Sequence, residues 1–232
     1  MRISIYFIRL CLILSCTLLT AQENAQITDT IVKQRYGLRL GIDLYNPIYT
    51  AIDQHRKGLE IVGDFRLSKS YFVAAEVGYL TFDGQEDFFT YSTDGSYLKI
   101  GLDYNAYENW LDMENLIYVG FRYGFSSFSQ TLHNYTINND PIFDLTPRVV
   151  TGQKYSGLNA HWGEFVVGVK AELVKNVFLG FSFSGKKMLS TKEPTNFRNL
   201  YVPGFNRVFL NDFGFGVNYT ISYMIPFFKK NK

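Results

Sequence analysis

Ile117-Tyr118-Val119-Gly120-Phe121-Arg122-Tyr123-Gly124-Phe125 alternates without a break: Ile, Val, Phe, Tyr and Phe fall on one side, Tyr, Gly, Arg and Gly on the other. Successive side chains of a β-strand project to opposite faces, so a period of two means a strand with one apolar face. The same pattern recurs at 36–44, 59–67, 71–79, 98–104, 165–173, 177–183 and 213–225. None of the residues on these eight apolar faces is charged, in a chain that is 19% charged. A surface in contact with lipid demands this, because a Lys or Arg at the bilayer midplane costs roughly 2–4 kcal/mol.

Alternation alone does not say which face is outside. A soluble ligand-binding barrel has the same period with its apolar face inward. Three observations favour the membrane arrangement. The opposite face mixes charges with Gly37, Gly41, Gly78, Gly101, Gly120, Gly124, Gly168, Gly180, Gly214 and Gly216, a combination suited to the crowded interior of a narrow barrel. Aromatic residues stand near segment ends (Tyr36, Tyr71, Tyr79, Tyr104, Phe125 and Trp162), where girdles meet the two membrane surfaces. The connections alternate long and short, at 45–58, 68–70, 80–97, 105–116, 126–164, 174–176 and 184–212. Short periplasmic turns and long external loops follow that rule, which places both termini in the periplasm. The expectation is an all-β, eight-stranded, antiparallel up-and-down transmembrane barrel.

The first residues agree with export. Arg2 and Arg9 form a basic head, Leu10 to Leu19 an apolar core, and Leu19-Thr20-Ala21 a cleavage site before Gln22. Ile13-Leu14-Ser15-Cys16 is a rival lipoprotein box, with Cys16 as the lipidated residue. Cleavage after Ala21 removes Cys11 and Cys16, so the mature chain has neither thiol nor disulfide. It also removes two arginines and leaves 21 basic residues against 21 acidic ones. A neutral chain offers no electrostatic basis for binding nucleic acid. The expected organisation is a signal peptide at 1–21, a periplasmic segment at 22–33, the barrel at 34–228 and a basic tail at 229–232.

The polar face carries Arg39, Asp43, Glu60, Asp64, Arg66, Glu76, Lys99, Asp103, Arg122, Glu164, Lys170 and Glu172. Eight strands enclose too little space for an open channel, and isolated buried charges are costly. These groups are therefore expected to pair in a lumenal network that plugs the barrel. A gated path for ions or small polar solutes is the alternative. Acids outnumber bases in this set, which predicts a carboxylate that is protonated or at the rim.

Catalysis finds little support. His55, His133 and His161 all fall in expected external loops, and Ser126, Ser127, Ser129 and Asp140 near His133 form the one conceivable hydrolytic cluster. No nucleophile-elbow motif accompanies them. No metal-ligand or calcium-loop spacing occurs, so neither metal nor cofactor is expected. The loops at 126–164 and 184–212 are long enough to carry function, and their aromatic residues are candidates for packing on the rim or docking a partner.

The leader ending Thr20-Ala21-Gln22, the Tyr- and Gly-rich alternation and the final Tyr223-Met224-Ile225-Pro226-Phe227-Phe228 resemble small outer-membrane β-barrel families of unknown function from Bacteroidetes. The resemblance covers nearly the whole mature chain and implies a class rather than an activity. Many such barrels end on an aromatic residue, whereas Lys229-Lys230-Asn231-Lys232 follow here; Asp212 to Tyr219 offers an internal substitute. Asp29-Thr30-Ile31 resembles the O-glycosylation sequence of that bacterial group and marks Thr30 as a candidate. Outer-membrane lipid is the expected surrounding. Two roles stand foremost, a plugged barrel that joins an outer-membrane complex through its loops and a narrow channel; a lipid-modifying enzyme is the third.

Overall fold

The computed structural model describes residues 33–52, 55–107, 114–136, 148–195 and 197–231. The signal segment, Thr30, Asp140 and most of the 22–33 segment lie outside them. Eight long strands close into a ring: β1 (Lys33–Asp43), β2 (Arg56–Arg66), β3 (Tyr71–Gln85), β4 (Phe89–Asn105), β5 (Leu116–Thr136), β6 (Arg148–Val174), β7 (Val177–Thr191) and β10 (Phe213–Asn231). Each pairs antiparallel with its neighbours in sequence, and β1 pairs with β10 to complete the barrel. Closure leaves no free sheet edge, which is what an alternating chain of this kind needs.

At the end that carries both β1's start and β10's finish, the connections include two tight turns, at 67–70 and 175–176. Asn176 takes φ 67°, the left-handed conformation that Asn tolerates in a two-residue hairpin. We call this the lower end. The upper end carries helix α1 (Tyr45–Ile52), the 86–88 turn, and the 192–212 connection with its small β8 (Tyr201–Val202) and β9 (Asn206–Arg207). Pro47 fits the first turn of α1, where an amide would have no helical partner anyway.

Four expectations about connections need correction. Residues 80–97 are not a loop, because β3 and β4 run on to a turn at 86–88. Most of 126–164 is ladder: β5 and β6 stay paired from Leu116↔Lys170 up to Thr136↔Arg148. Residues 45–58 hold α1, and β7 extends to Thr191. The basic tail is strand as far as Asn231, opposite Lys33. Where strands extend, pairing with a neighbour overrides weak local alternation, since backbone hydrogen bonds need no particular side chain.

The faces divide as the alternation predicts. Ile100, Leu102, Phe121, Phe165, Phe181 and Phe215 stand exposed on the outer wall, whereas most of the interleaved residues point inward and are buried. Tyr71, Tyr79, Tyr104 and Phe125 are exposed near the limits of this apolar belt, and the rings of Tyr71 and Tyr104 lie 5.3 Å apart between centroids. Trp162 and Tyr36 are not girdle residues. Trp162 is wholly buried, because it shares the inward phase of Glu164 on β6. Tyr36 is buried at the register shift where β10 has Phe227 as an extra residue, and its ring stacks on Phe228 at 5.2 Å.

Candidate functional site

Inward-facing side chains fill the barrel in two chemically distinct layers. The lower layer is ionic, with a small buried cluster of Phe72, Leu116, Tyr118 and Val166 among the ions. Asp64 accepts from Arg39 Nε at 2.7 Å and from Lys170 Nζ. Arg122 holds Asp103 with both terminal nitrogens, at 2.7 and 2.9 Å, and reaches Glu76 at 3.3 Å through Nε. Lys99 bridges Glu76 at 2.6 Å and Glu60 at 3.3 Å. Nearer the lower rim, Arg35 meets Glu172 while Arg66 meets Glu114. Charge-assisted and bidentate bonds of this kind are the geometry that makes buried ions tolerable. Arg39 also lies 5.0 Å from the ring centroids of both Phe72 and Phe178, which shield it.

Every lumenal residue anticipated from the alternation faces this interior. Arg39, Asp43, Glu60, Asp64, Arg66, Lys99, Asp103, Arg122 and Glu164 are buried, and Glu76, Lys170 and Glu172 are nearly so. Asp43 stands apart from the ion pairs: its carboxylate accepts the amides of Tyr45 and Tyr219, tying α1 to the wall. Three members escaped sequence reading. Lys186 continues the inward phase of Ser182 and Ser184 beyond the expected end of its strand, Arg35 precedes the expected start of the first strand at 36, and Glu114 lies in a segment expected to be a connection. Two added cations against one added carboxylate narrow the acidic excess of the interior.

Above the ions the filling is aromatic and apolar. Leu80, Tyr91, Tyr97, Phe128, Leu158, Trp162, Met188, Tyr201, Val202 and Phe205 belong to one buried cluster. Several of these rings occupy space that an opposing glycine leaves. Gly78 faces Tyr97 and Gly124 faces Trp162, where added Cβ atoms would lie 2.4 and 2.1 Å from the rings. These lumenal glycines are thus the partners of the lumenal aromatics.

Tyr201, Val202 and Phe205 come from the 192–212 connection, which folds back into the barrel mouth as a lid. β8 and β9 make a tight hairpin; Gly204 at its tip has φ +80° and sits against the Tyr97 ring. Phe205 meets Trp162 edge-on at 5.8 Å, and Tyr201 stacks on Phe82 at 4.1 Å. Burial holds the Tyr201 phenol well above its ordinary range, so it stays neutral. Lys186 Nζ donates to the Gly204 carbonyl at 2.7 Å and lies 3.9 Å from Glu164, joining lid to ion layer. Between the layers, a polar cavity of about 20 Å³ beside Asp43, Glu60, Lys99 and Gly204 has room for about one water. Of the two roles open to the aromatic residues of 184–212, packing or docking, Tyr201 and Phe205 take the first: both are buried, with Pro203 between them.

Among the described residues His133 does not meet Ser126 or Ser129, and its other expected partner, Asp140, lies outside them. His133 and His161 lie on strands β5 and β6 rather than in loops. The imidazole of His133 bonds Ser92 Oγ at 2.9 Å on the neighbouring strand, on an exposed face. Ser126 Oγ donates to the Ser96 carbonyl, and Ser129 donates to Asp94. His161 pairs with the Tyr123 hydroxyl at 2.7 Å on the outer wall. Among the described residues no group of His, Cys, Asp and Glu is arranged to hold a metal ion.

A family model described as a domain of unknown function (DUF6048) matches residues 3–230, and the chain belongs to that family. No curated protein matches the chain. Among solved structures, a major outer membrane protein from Thermus thermophilus is similar at 15% identity and a TM-score of 0.42, over 82% of this chain and 99% of that one.

Proposed function

We propose that this member of the family is an integral outer-membrane β-barrel without a catalytic site, sealed along its axis, that serves as a structural or interaction subunit of an outer-membrane complex. The observation that carries the reading is the inversion of polarity: paired ions are buried inside while large apolar side chains are exposed all round the wall. Phe121 is 60%, Phe165 56% and Leu102 55% exposed, and they belong to one unbroken belt. Soluble monomers rarely expose apolar patches larger than a few hundred Å².

The belt has membrane dimensions. From Tyr71 to Tyr79 it covers nine residues of β3, ~26 Å along the strand. With the usual tilt of 35–45° this becomes ~20 Å of height, close to the ~25 Å apolar band of outer-membrane barrels. The two tight lower turns and the elaborate upper end support periplasmic termini. The interaction surface is then the part of β3–β6 that rises above the belt. There Ser126 to Thr136 of β5 and Val149 to Ala160 of β6 continue as a polar ladder, with Val150 81% exposed on it.

Planar-bilayer recording combined with mild-detergent pull-down tests the proposal. Silent bilayers and a stoichiometric partner whose capture is lost when residues 128–157 are trimmed to a short turn are the expected results. A clean monomer with reproducible conductance overturns the subunit reading in favour of a channel. Complete extraction of the protein by alkaline carbonate overturns the membrane reading itself.

A further inference from the structure

A groove on the outer wall and a cavity at the lower rim meet at Phe65. Above it runs an apolar groove of about 310 Å³ whose floor is made by small outward-facing residues, Gly63 on β2 opposite Ala75 on β3. Leu40, Ile61, Val77 and Leu98 flank it. Below Phe65 is a second, basic cavity of about 450 Å³ at the lower rim, lined by Arg66, Lys69 and Lys230 beside Ser68, Gln34 and Phe228.

A break in the wall explains the lower cavity. The β1–β2 ladder runs only from Leu38↔Phe65 to Ile42↔Ile61, whereas β1–β10 pairing continues down to Lys33↔Asn231. β2 ends one residue beyond Phe65, at Arg66, so below Leu38 the β1–β10 ribbon continues without it, past the register shift that adds Phe227. Bulges at barrel rims re-aim side chains in this manner. Arg66 lies at the break. Its Nη2 is held by Glu114, but Nε and Nη1 have no hydrogen-bond acceptor although the residue is only 2% exposed. Such orphaned guanidinium donors are costly, and their fork geometry matches phosphate.

We propose that the two cavities together hold one phospholipid, its phosphate at Arg66 with Lys69 and Lys230 and one acyl chain in the Gly63–Ala75 groove. The proposal rests on the outer-membrane reading above, which puts this rim in the phospholipid leaflet. Charge and shape both support it. The basic groups gather at the rim, and their cavity shares Phe65 with the groove that runs up the belt. From Phe65 to Ile61 the groove follows four residue steps, ~13 Å of strand. With the same strand tilt this is ~10 Å of height, a little under half of the ~25 Å apolar band and so within one leaflet. A free phosphate would use the rim and leave the groove without a role.

The test is native mass spectrometry of the barrel folded into detergent micelles and titrated with dipalmitoyl phosphatidylglycerol. Wild type should retain one lipid, and diacylglycerol with the same chains should not be retained. Lys69→Glu with Lys230→Glu removes rim charge, and Ala75→Leu fills the groove from outside without touching the lumen; each should weaken retention about fivefold or more. Arg66→Lys keeps a cation beside Glu114, so the fold survives while the fork is lost, and retention should fall likewise. Equal retention by all variants overturns the proposal, as does displacement of the lipid by equimolar inorganic phosphate, which marks a bare anion site. Heat-modifiable mobility after insertion into vesicles separates the two readings. Failure to insert overturns the membrane reading and this one with it, whereas insertion with no retained lipid overturns this one only.

Discussion

The lower and upper halves of the barrel interior are closed by opposite chemistries. Below, strands close the lumen with their own side chains: Arg39 with Asp64, Lys99 with Glu76 and Arg122 with Asp103 pair between neighbouring strands, and Lys170 reaches from β6 to Asp64 on β2. Above, closure depends on a connection that leaves the wall and returns, bringing Tyr201, Val202 and Phe205 into one cluster with Tyr97 and Trp162. The ionic layer gains specificity from directional pairs, since each paired carboxylate is committed to particular cations. The apolar layer gains its stability from area and packing, and as a lid it is separable from the barrel. A break in the ionic layer should therefore destabilise the whole barrel, and a break in the lid should be felt locally.

The largest effect is expected from Arg122→Ala, which leaves Asp103 buried without its cation. Loss of about 3–5 kcal/mol is expected, measured as a shift in urea unfolding of the barrel in vesicles. Arg122→Met with Asp103→Leu, which removes both charges, should recover most of it. A single variant as stable as wild type would show that the ionic layer does not hold the barrel together.

Next comes Phe205→Ala, with a cost of about 3 kcal/mol for emptying a buried aromatic site. The comparison is sharpened by where that cost is felt. Trp162 fluorescence, read in a Trp110→Phe background, should move to longer wavelength and become accessible to acrylamide. The urea midpoint of the barrel should stay near wild type, and a large fall in it would show that lid and barrel are one cooperative unit.

Gly204→Val should act on the lid alone, by about 1–3 kcal/mol, because it forces a branched residue into φ +80° and into the Tyr97 ring. Faster proteolysis between residues 192 and 212, with the rest of the barrel protected, is the measurement. The smallest effect belongs to Arg207→Gln. Its contact with Glu86 at 3.1 Å is largely exposed, and screening should hold the loss below about 1 kcal/mol. A larger loss in thermal denaturation would mean that the lid is anchored from outside rather than by its buried face.

Particular residues show how far the sequence carries. Arg122 was legible because Gly120, Arg122 and Gly124 alternate with Val119, Phe121, Tyr123 and Phe125, and a strand's period of two admits one inward phase. Lys186 was not, because Gly185 and Lys187 interrupt the apolar phase beyond Phe183 and the alternation loses its signal there. Trp162 and Tyr36 carry a girdle signal in the sequence and lie buried for opposite reasons. Counting back by twos from Glu164 puts Trp162 inside, where it lies, so phase and not aromatic character decides its position. Tyr36 shares the outward phase of Leu38, but the extra Phe227 on β10 shifts the register beside it, and period alone does not carry across such a shift. Phe205 and Tyr201 carried only the mark of aromatic loop residues, compatible with display or with burial.

The sequence alone determined the strand period, the two faces, the up-and-down order and which charges share the interior, because these depend on local geometry repeated along the chain. Only the tertiary structure decided how high each strand continues, which carboxylate meets which cation, that the 192–212 connection turns inward, and that β1 parts from β2 below Leu38. Those features depend on partners far apart in sequence, and on the space that one wall leaves for another. Alternation within a single strand carries no record of either.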